Sequence, residues 1–316
     1  MREGDARHAC SRRDHRQGPR SRPVSDRLLE HIHSLTGERH PVSTPTALRQ
    51  AEDYLTTQFR HLGLQVSHHA FDAYGSTYRN VVASLHPAPV KSGTAADGSQ
   101  DAVPLIIAAH YDTVLGSPGA DDNASGLAVM LEVAGKLVGA SLGRSVRFIG
   151  FCLEEDNLLG SLAYASALRA AGQEIRGALV LECVGYTNSA EGSQLMPPGV
   201  PIAVPSVGDF LGIVGNTASA ELVTCVEHAA RHSGSDLKTV SLLVPGQGEL
   251  LPDSRRSDHA AFWYYGYPAV MLTDTANFRN PHYHQPSDTA ETLDLSFIER
   301  VLRAVAAAAI DLSRPK

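Results

Sequence analysis

Two features of the sequence predict an α/β protein built on a mostly parallel mixed sheet sandwiched by helices. The first is a rhythm. VPLIIAAH, SVRFIGFC and GALVLECVGY are apolar runs of strand length, separated by SGLAVMLEVAGKLV and LLGSLAYASALRAAG, which have helical spacing. Strands this continuously apolar must be covered on both faces, as in a parallel sheet with helices on either side. The second feature is where the polar outliers fall. His110 and Asp112 close the first run, Glu154 and Glu155 follow the second, and Glu182 sits in the third. All fall at the carboxyl ends of strands, the edge where open parallel sheets bind ligands.

The remaining elements fit this frame in order. SDRLLEHIHSLTG and STPTALRQAEDYLTTQFRHLG carry apolar residues at helical spacing and each stops at Gly, with Ser43 or Thr44 available as a cap for the second. LQVSHHAF and YRNVVASLH have strand length and strand patterning. PAPVKSGTAADGSQDAV reads as an exposed loop or hairpin tip, and residues 187–209, rich in Pro, Gly and Ser, as a long surface loop. Beyond that loop, SAELVTCVEHAARHS reads as helix, TVSLLVP as strand, SDHAAFWYYG as helix or turn, PAVMLTDT as strand and LSFIERVLRAVAAAAIDLS as the closing helix. His284 lies in the loop after PAVMLTDT. No internal repeat is visible.

Charge is unevenly distributed. The net charge is −7, yet residues 1–22 hold seven Arg against three acids, a balance of +4, so residues 23–316 carry −11. The arm has too few apolar residues to bury itself and is expected to be disordered, ahead of a single domain over 23–316. It lacks the apolar centre of a secretory signal, which favours a cytoplasmic location. The acidic body argues against a nucleic-acid surface, and no apolar run is long enough to span a membrane. Cys10, Cys152, Cys183 and Cys225 form no CxxC pair, and two of them sit in apolar strands, so neither a thiolate metal site nor a disulfide framework is indicated.

The acids at the sheet edge raise a chemical question, because neighbouring carboxylates repel unless a cation or a proton lies between them. Asp122 and Asn123 precede a helix and read as its caps, and Asp156 as a helix N-terminal charge. Asp121, just after the flexible GSPGA, is freer to face the crevice. Glu154 and Glu155 suit a metal site, where one carboxylate binds the ion and its neighbour takes a proton from water. Imidazole mixed with carboxylate oxygens points to zinc rather than to magnesium or calcium.

HYD at 110–112, GADDNASG at 119–126, EE at 154–155, ECVGY at 182–186, SDHAAF at 257–262 and PHYHQPSDT at 281–289 follow one another in an order that resembles the di-zinc aminopeptidase family. That family includes bacterial leucyl aminopeptidases, aminopeptidases S and Y and glutamate carboxypeptidase II, with the glutaminyl cyclases as relatives. The resemblance implies the zinc-dependent exopeptidase (phosphorylase/hydrolase-like) architecture and two zinc ions per chain. It implies Asp121 as the bridging carboxylate, Glu155 and His284 on one zinc, and His110 with Glu182 on the other. Asp112 would orient the His110 ring, Glu154 would serve as general base and Tyr283 would stabilise the oxyanion. PHYHQ also offers His282; His284 is chosen because the family's ligand follows the Tyr. Glu182 departs from the Asp that many members carry, which leaves the second zinc to be examined.

Two Zn²⁺ against Asp121, Glu155 and Glu182 would reach neutrality with one bridging hydroxide. The expected reaction is hydrolysis of an N-terminal peptide bond, on a peptide or amino-acyl substrate with a free amine. The alternatives are a single-zinc cyclase of N-terminal Gln and a binding protein without catalysis.

Overall fold

The structure, a computed structural model, describes residues 22–87 and 103–314. All of the Arg-rich arm except Arg22, and nearly all of the loop expected at 87–103, lie outside the described residues. Among the described residues eight strands form one mixed sheet. In chain order they are β1 (Gln65–Ala73), β2 (Ser76–Leu85), β3 (Leu105–His110), β4 (Val146–Phe151), β5 (Gly177–Glu182), β6 (Leu211–Asn216), β7 (Thr239–Val244) and β8 (Ala269–Thr273). The spatial order is β1-β2-β4-β3-β5-β8-β6-β7. The central four, β4-β3-β5-β8, are mutually parallel. β1 and β2 form an antiparallel hairpin beside β4, and β6 runs antiparallel to β8 with β7 parallel beyond it.

Among the described residues seven α-helices cover the sheet: α1 (Val24–Leu35), α2 (Pro45–His61), α3 (Gly126–Leu137), α4 (Leu159–Ala170), α5 (Ala220–His232), α6 (His259–Tyr264) and α7 (Leu295–Ser313). The strand alternation divides the core between the two faces. Leu105, Ile107 and Ala109 of β3 and Leu179 and Leu181 of β5 join the cluster beneath α1, α2, α3, α5 and α7. Ile106, Ala108, Ala178 and Val180 pack on the other side with Tyr164 and Leu168 of α4 and Phe262 and Trp263 of α6. Every residue of β3 and β5 is buried, which explains their unbroken apolarity. The Asp294 side chain accepts from Phe297 N (3.0 Å) and so caps α7. Among the described residues, no helix is long and apolar enough to cross a membrane.

Two local expectations change. Thr44 precedes α2 without capping it; its hydroxyl bonds to Glu38 O and His40 N, and Pro45 opens the helix instead. The sequence pattern also passes over β6. LGIVGN is interrupted by glycines that a strand pattern disfavours, yet a Cβ at Gly215 would stand 2.7 Å from Val223 Cγ2 of α5. Close packing of α5 on the strand, rather than a turn, accounts for that glycine.

α1 and α3 are tied together by an ion pair inside the fold. Arg27 Nε and Nη2 reach Glu132 Oε1 and Oε2 at 2.9 and 2.6 Å, and His31 Nε2 lies 3.5 Å from Oε1. Burial opposes the Glu132 charge, but the bonds from His31 and Arg27 outweigh it and hold the carboxyl down at about 2. A carboxyl depressed in the folded state stabilises fully above its unfolded value of 4.5, and that contribution is lost as pH falls through about 2. Glu132→Gln is therefore expected to cost about 1–2 kcal/mol at neutral pH, discounted for the partly exposed Arg27, with the difference closing near pH 2. Urea unfolding across a pH series checks this; a difference independent of pH would assign the tie to packing.

Candidate metal centre

The carboxyl ends of β3, β4 and β5 and the loop after β8 converge on one point. His110, the last residue of β3, is buried, and its Nδ1 lies 3.2 Å from the Asp112 carbonyl. A carbonyl only accepts, so Nδ1 carries a hydrogen and Nε2 is the nitrogen that faces the cluster. That Nε2 has no hydrogen-bond partner, although it lies 3.0 Å from Asp122 Oδ1, 3.5 Å from Glu182 Oε2 and 4.0 Å from Glu154 Oε2. Across the cluster, His284 Nε2 lies 3.0 Å from Asp122 Oδ2 and 3.3 Å from Glu155 Oε2, again with no hydrogen-bond partner. Asp122 thus turns one oxygen toward each imidazole.

This arrangement corrects the expectation for Asp121. The Asp121 carboxylate accepts from Gly185 N (2.8 Å) and Ser125 Oγ (3.1 Å) on one oxygen and from Asn280 Nδ2 (2.7 Å) on the other, so it is taken up by neighbouring donors and belongs to none of the groups of converging donor atoms among the described residues. Asp122 was expected as a helix cap, yet no side-chain cap bond forms at the head of α3. The physical reason lies in a non-periodic turn. Gly119 is left-handed (φ 62°), and a Cβ there would stand 2.3 Å from Asp122 O and 2.8 Å from Arg39 Nη2. The following peptide N–H groups of Asp121 and Asp122 donate to the two oxygens of Asp288 at 2.9 and 3.2 Å, which fixes the turn that aims Asp122 inward.

Arg39 and Asp288 were not singled out in the sequence. Arg39 is buried and donates to the carbonyls of Gly37, Tyr111, Pro118 and Gly119, stitching the β3 loop to the segment after α1. Asp112 stands beside the His110 ring and also holds the backbone that follows β4. Its carboxylate accepts from the backbone of Glu154 and Glu155, both at 3.1 Å, and stands 3.6 Å from His110 Nδ1, so its carbonyl contacts the ring and its side chain holds the paired glutamates.

The longer Glu182 reaches the cluster and is held on both oxygens, by Ser257 Oγ (2.7 Å) and by the Cys183 thiol (3.4 Å). Tyr283 stacks on His284 with ring centroids 3.8 Å apart, and its hydroxyl oxygen accepts from Arg256 Nη2 at 3.1 Å. His282 turns aside to Ser287 Oγ (2.9 Å). Asp258 is buried nearby, where burial, against the pull of His110, pushes its carboxyl up to about 7.

The electrostatics say what the cluster lacks. Burial followed by Asp122 pushes the Glu155 carboxyl up to about 8. Burial disfavours charge on His284, but Asp122 and Glu155 overcome it and hold the ring up at about 10. Protons are thus drawn in where positive charge is missing. Three sets of donor atoms, His110/Glu154/Glu182, His110/Asp122/Glu155 and Asp122/Glu182/Cys183, each lie within 4.8 Å of one another. Buried imidazole and carboxylate atoms with no hydrogen-bond partner, converging at this spacing, fit a divalent metal.

A cavity of about 100 Å³ opens beside the cluster. Glu182, Tyr283 and Arg256 stand along it, and Val214, Leu242, Leu251, Met271 and Phe278 supply apolar wall.

Fold and site together define an α/β protein with a buried candidate metal centre, and the comparisons give its class. Residues 80–309 match the model of peptidase family M28, and the chain belongs to that family. It is 33% identical over 293 residues to Escherichia coli YfbL, described as uncharacterised, covering 89% of this chain and 86% of YfbL. It is 28% identical over 207 residues to the Bacillus subtilis aminopeptidase YwaD, covering 65% of this chain but 40% of YwaD. Among solved structures, the Legionella pneumophila LapA aminopeptidase shares the fold with a TM-score of 0.69 at 19% identity, over 92% of this chain and 72% of LapA.

The two aspartates can be separated by zinc titration of chelator-stripped protein. Asp122→Ala is expected to lose high-affinity zinc, by about tenfold or more in affinity, whereas Asp121→Asn should keep the wild-type stoichiometry. The reverse pattern would restore Asp121 to the centre.

Proposed function

We propose that the cluster is a di-zinc centre and that the protein is an aminopeptidase. The observation that carries this reading is Asp122, whose two oxygens each lie 3.0 Å from an imidazole nitrogen with no hydrogen-bond partner. His110 and Glu182 would hold one ion, Glu155 and His284 the other, and Asp122 both. Zinc bound there would supply Lewis acidity, polarising a carbonyl and lowering the pKa of water toward ~7.

The protein's own residues would do the rest. Glu154, buried at the rim of the cluster, takes the proton of the attacking water and delivers it to the departing amine. The Tyr283 oxygen accepts from Arg256, so its single hydrogen stays free to meet the carbonyl oxygen as charge develops. The acidic crevice around the ions favours the free α-amine of a peptide, and with it cutting at the N-terminus. The adjoining apolar cavity takes the side chain of the first residue, with an apolar residue of about leucine size preferred. Membership of a peptidase family and the 28% identity to an aminopeptidase support the reading.

Amino-acyl anilides and short peptides test it. Leucyl and methionyl substrates should exceed lysyl ones by about tenfold or more, and Glu154→Gln should keep its zinc while turnover falls by about 10²–10⁴-fold. Near-normal turnover in that variant would remove Glu154 from the mechanism. Ring closure of N-terminal Gln without peptide cleavage would instead make the protein a cyclase.

A further inference from the structure

One donor atom in the cluster has no part in the chemistry described so far. Cys183 follows Glu182 at the end of β5 in a left-handed conformation (φ 48°), and its side chain is buried. The thiol lies 3.4 Å from Glu182 Oε1, and Cys183, Glu182 and Asp122 each present a donor atom within 4.8 Å of the other two. Independently of the cysteine, Asp122 Oδ1 is buried without a hydrogen-bond partner, 3.0 Å from a His110 Nε2 that also has none, and together they fit a shared cation. Donors about 2.0–2.3 Å from a tetrahedral metal stand roughly 3.3–3.8 Å apart, which includes the separation of the thiol from Glu182. Of the other described cysteines, neither Cys152 nor Cys225 belongs to such a group.

We propose that Cys183 is a supplementary sulfur donor to the ion held by Asp122 and Glu182, giving this half of the centre a selectivity for thiophilic divalent cations. On binding, the S–H bond breaks, its proton leaves to solvent, and the sulfur lone pair forms the bond to the metal. Soft sulfur favours Zn²⁺ and Cd²⁺ over Mg²⁺ and Mn²⁺, which an oxygen and imidazole site alone separates less sharply. The inference rests on the metal-centre reading above.

Cadmium is the probe. The chelator-stripped full chain is titrated with Cd²⁺ while bound metal is counted by elemental mass spectrometry and sulfur-to-cadmium charge transfer is followed in the ultraviolet. The expected result is a band that rises with bound Cd²⁺, disappears in Cys183→Ser and persists in Cys152→Ser and Cys225→Ser. Cadmium bound with no band, or a band unchanged in Cys183→Ser, overturns the sulfur donor and leaves the metal centre standing. No cadmium bound by the wild-type chain overturns the metal centre and the sulfur donor together. Cadmium NMR of the wild-type protein gives a second readout that does not depend on the variant folding: sulfur ligation moves the resonance downfield, and a resonance in the range of oxygen and nitrogen ligands counts against Cys183.

Discussion

Buried negative charge at one sheet edge is the constraint on which the rest of this structure depends. Asp112, Asp121, Asp122, Glu154, Glu182, Asp258, Asp274 and Asp288 are all buried, and Glu155 is nearly so. Such a concentration is tolerable only if each carboxylate finds hydrogen or positive charge. Six of these nine acids fall into two groups by their partners. Asp112, Asp121, Asp274 and Asp288 take backbone N–H donors and thereby pin loops. Asp122 and Glu155 face imidazoles whose inner nitrogens have no hydrogen-bond partner. The first group sets the geometry that the second group needs.

How much of this could be read from sequence follows from how directly position fixes direction. A residue at the end of a buried parallel strand has little choice of direction, so His110, Glu154, Glu155 and Glu182 could be assigned to one edge from the alternation of apolar strands and helices. Asp121 and Asp122 lie in a turn with no periodicity, between a left-handed glycine and a helix start. Spacing does not choose between them there; the choice is made by Asp288, far along the chain, and by Arg39 from before the sheet. Neither GERHP nor PSDT states by itself that its charged residue will hold someone else's backbone. β6 escaped for a related reason, since Gly215 makes room for a helix packed on the strand and its use appears only once that helix is placed.

The division of labour also explains why specificity was less legible than chemistry. His110, Glu154, Glu155 and Glu182 stand at or just beyond the ends of β3, β4 and β5, whose burial constrains nearly every residue. The adjoining cavity draws Pro197 and Val200 from the long loop, Val214 from β6, Leu242 from β7, Leu251 from the turn before α6 and Phe278 from the segment after β8. These come from the far side of the sheet and from connecting segments, where substitution disturbs less of the core. A relative could keep every charged residue of the centre and present a different wall.

The contact between Asp288 and the Asp121–Asp122 backbone has a bearing on synthesis. The strands that carry His110, Glu154, Glu155 and Glu182 emerge from the ribosome well before residues 280–288. Until that later segment arrives, Asp122 has no anchor, and His284 is not there to face it. A growing chain therefore has every strand of the sheet encoded before the charged centre can assemble. In a peptidase this amounts to a built-in delay, in which the means of cutting peptides is withheld while the protein is itself an unfinished peptide.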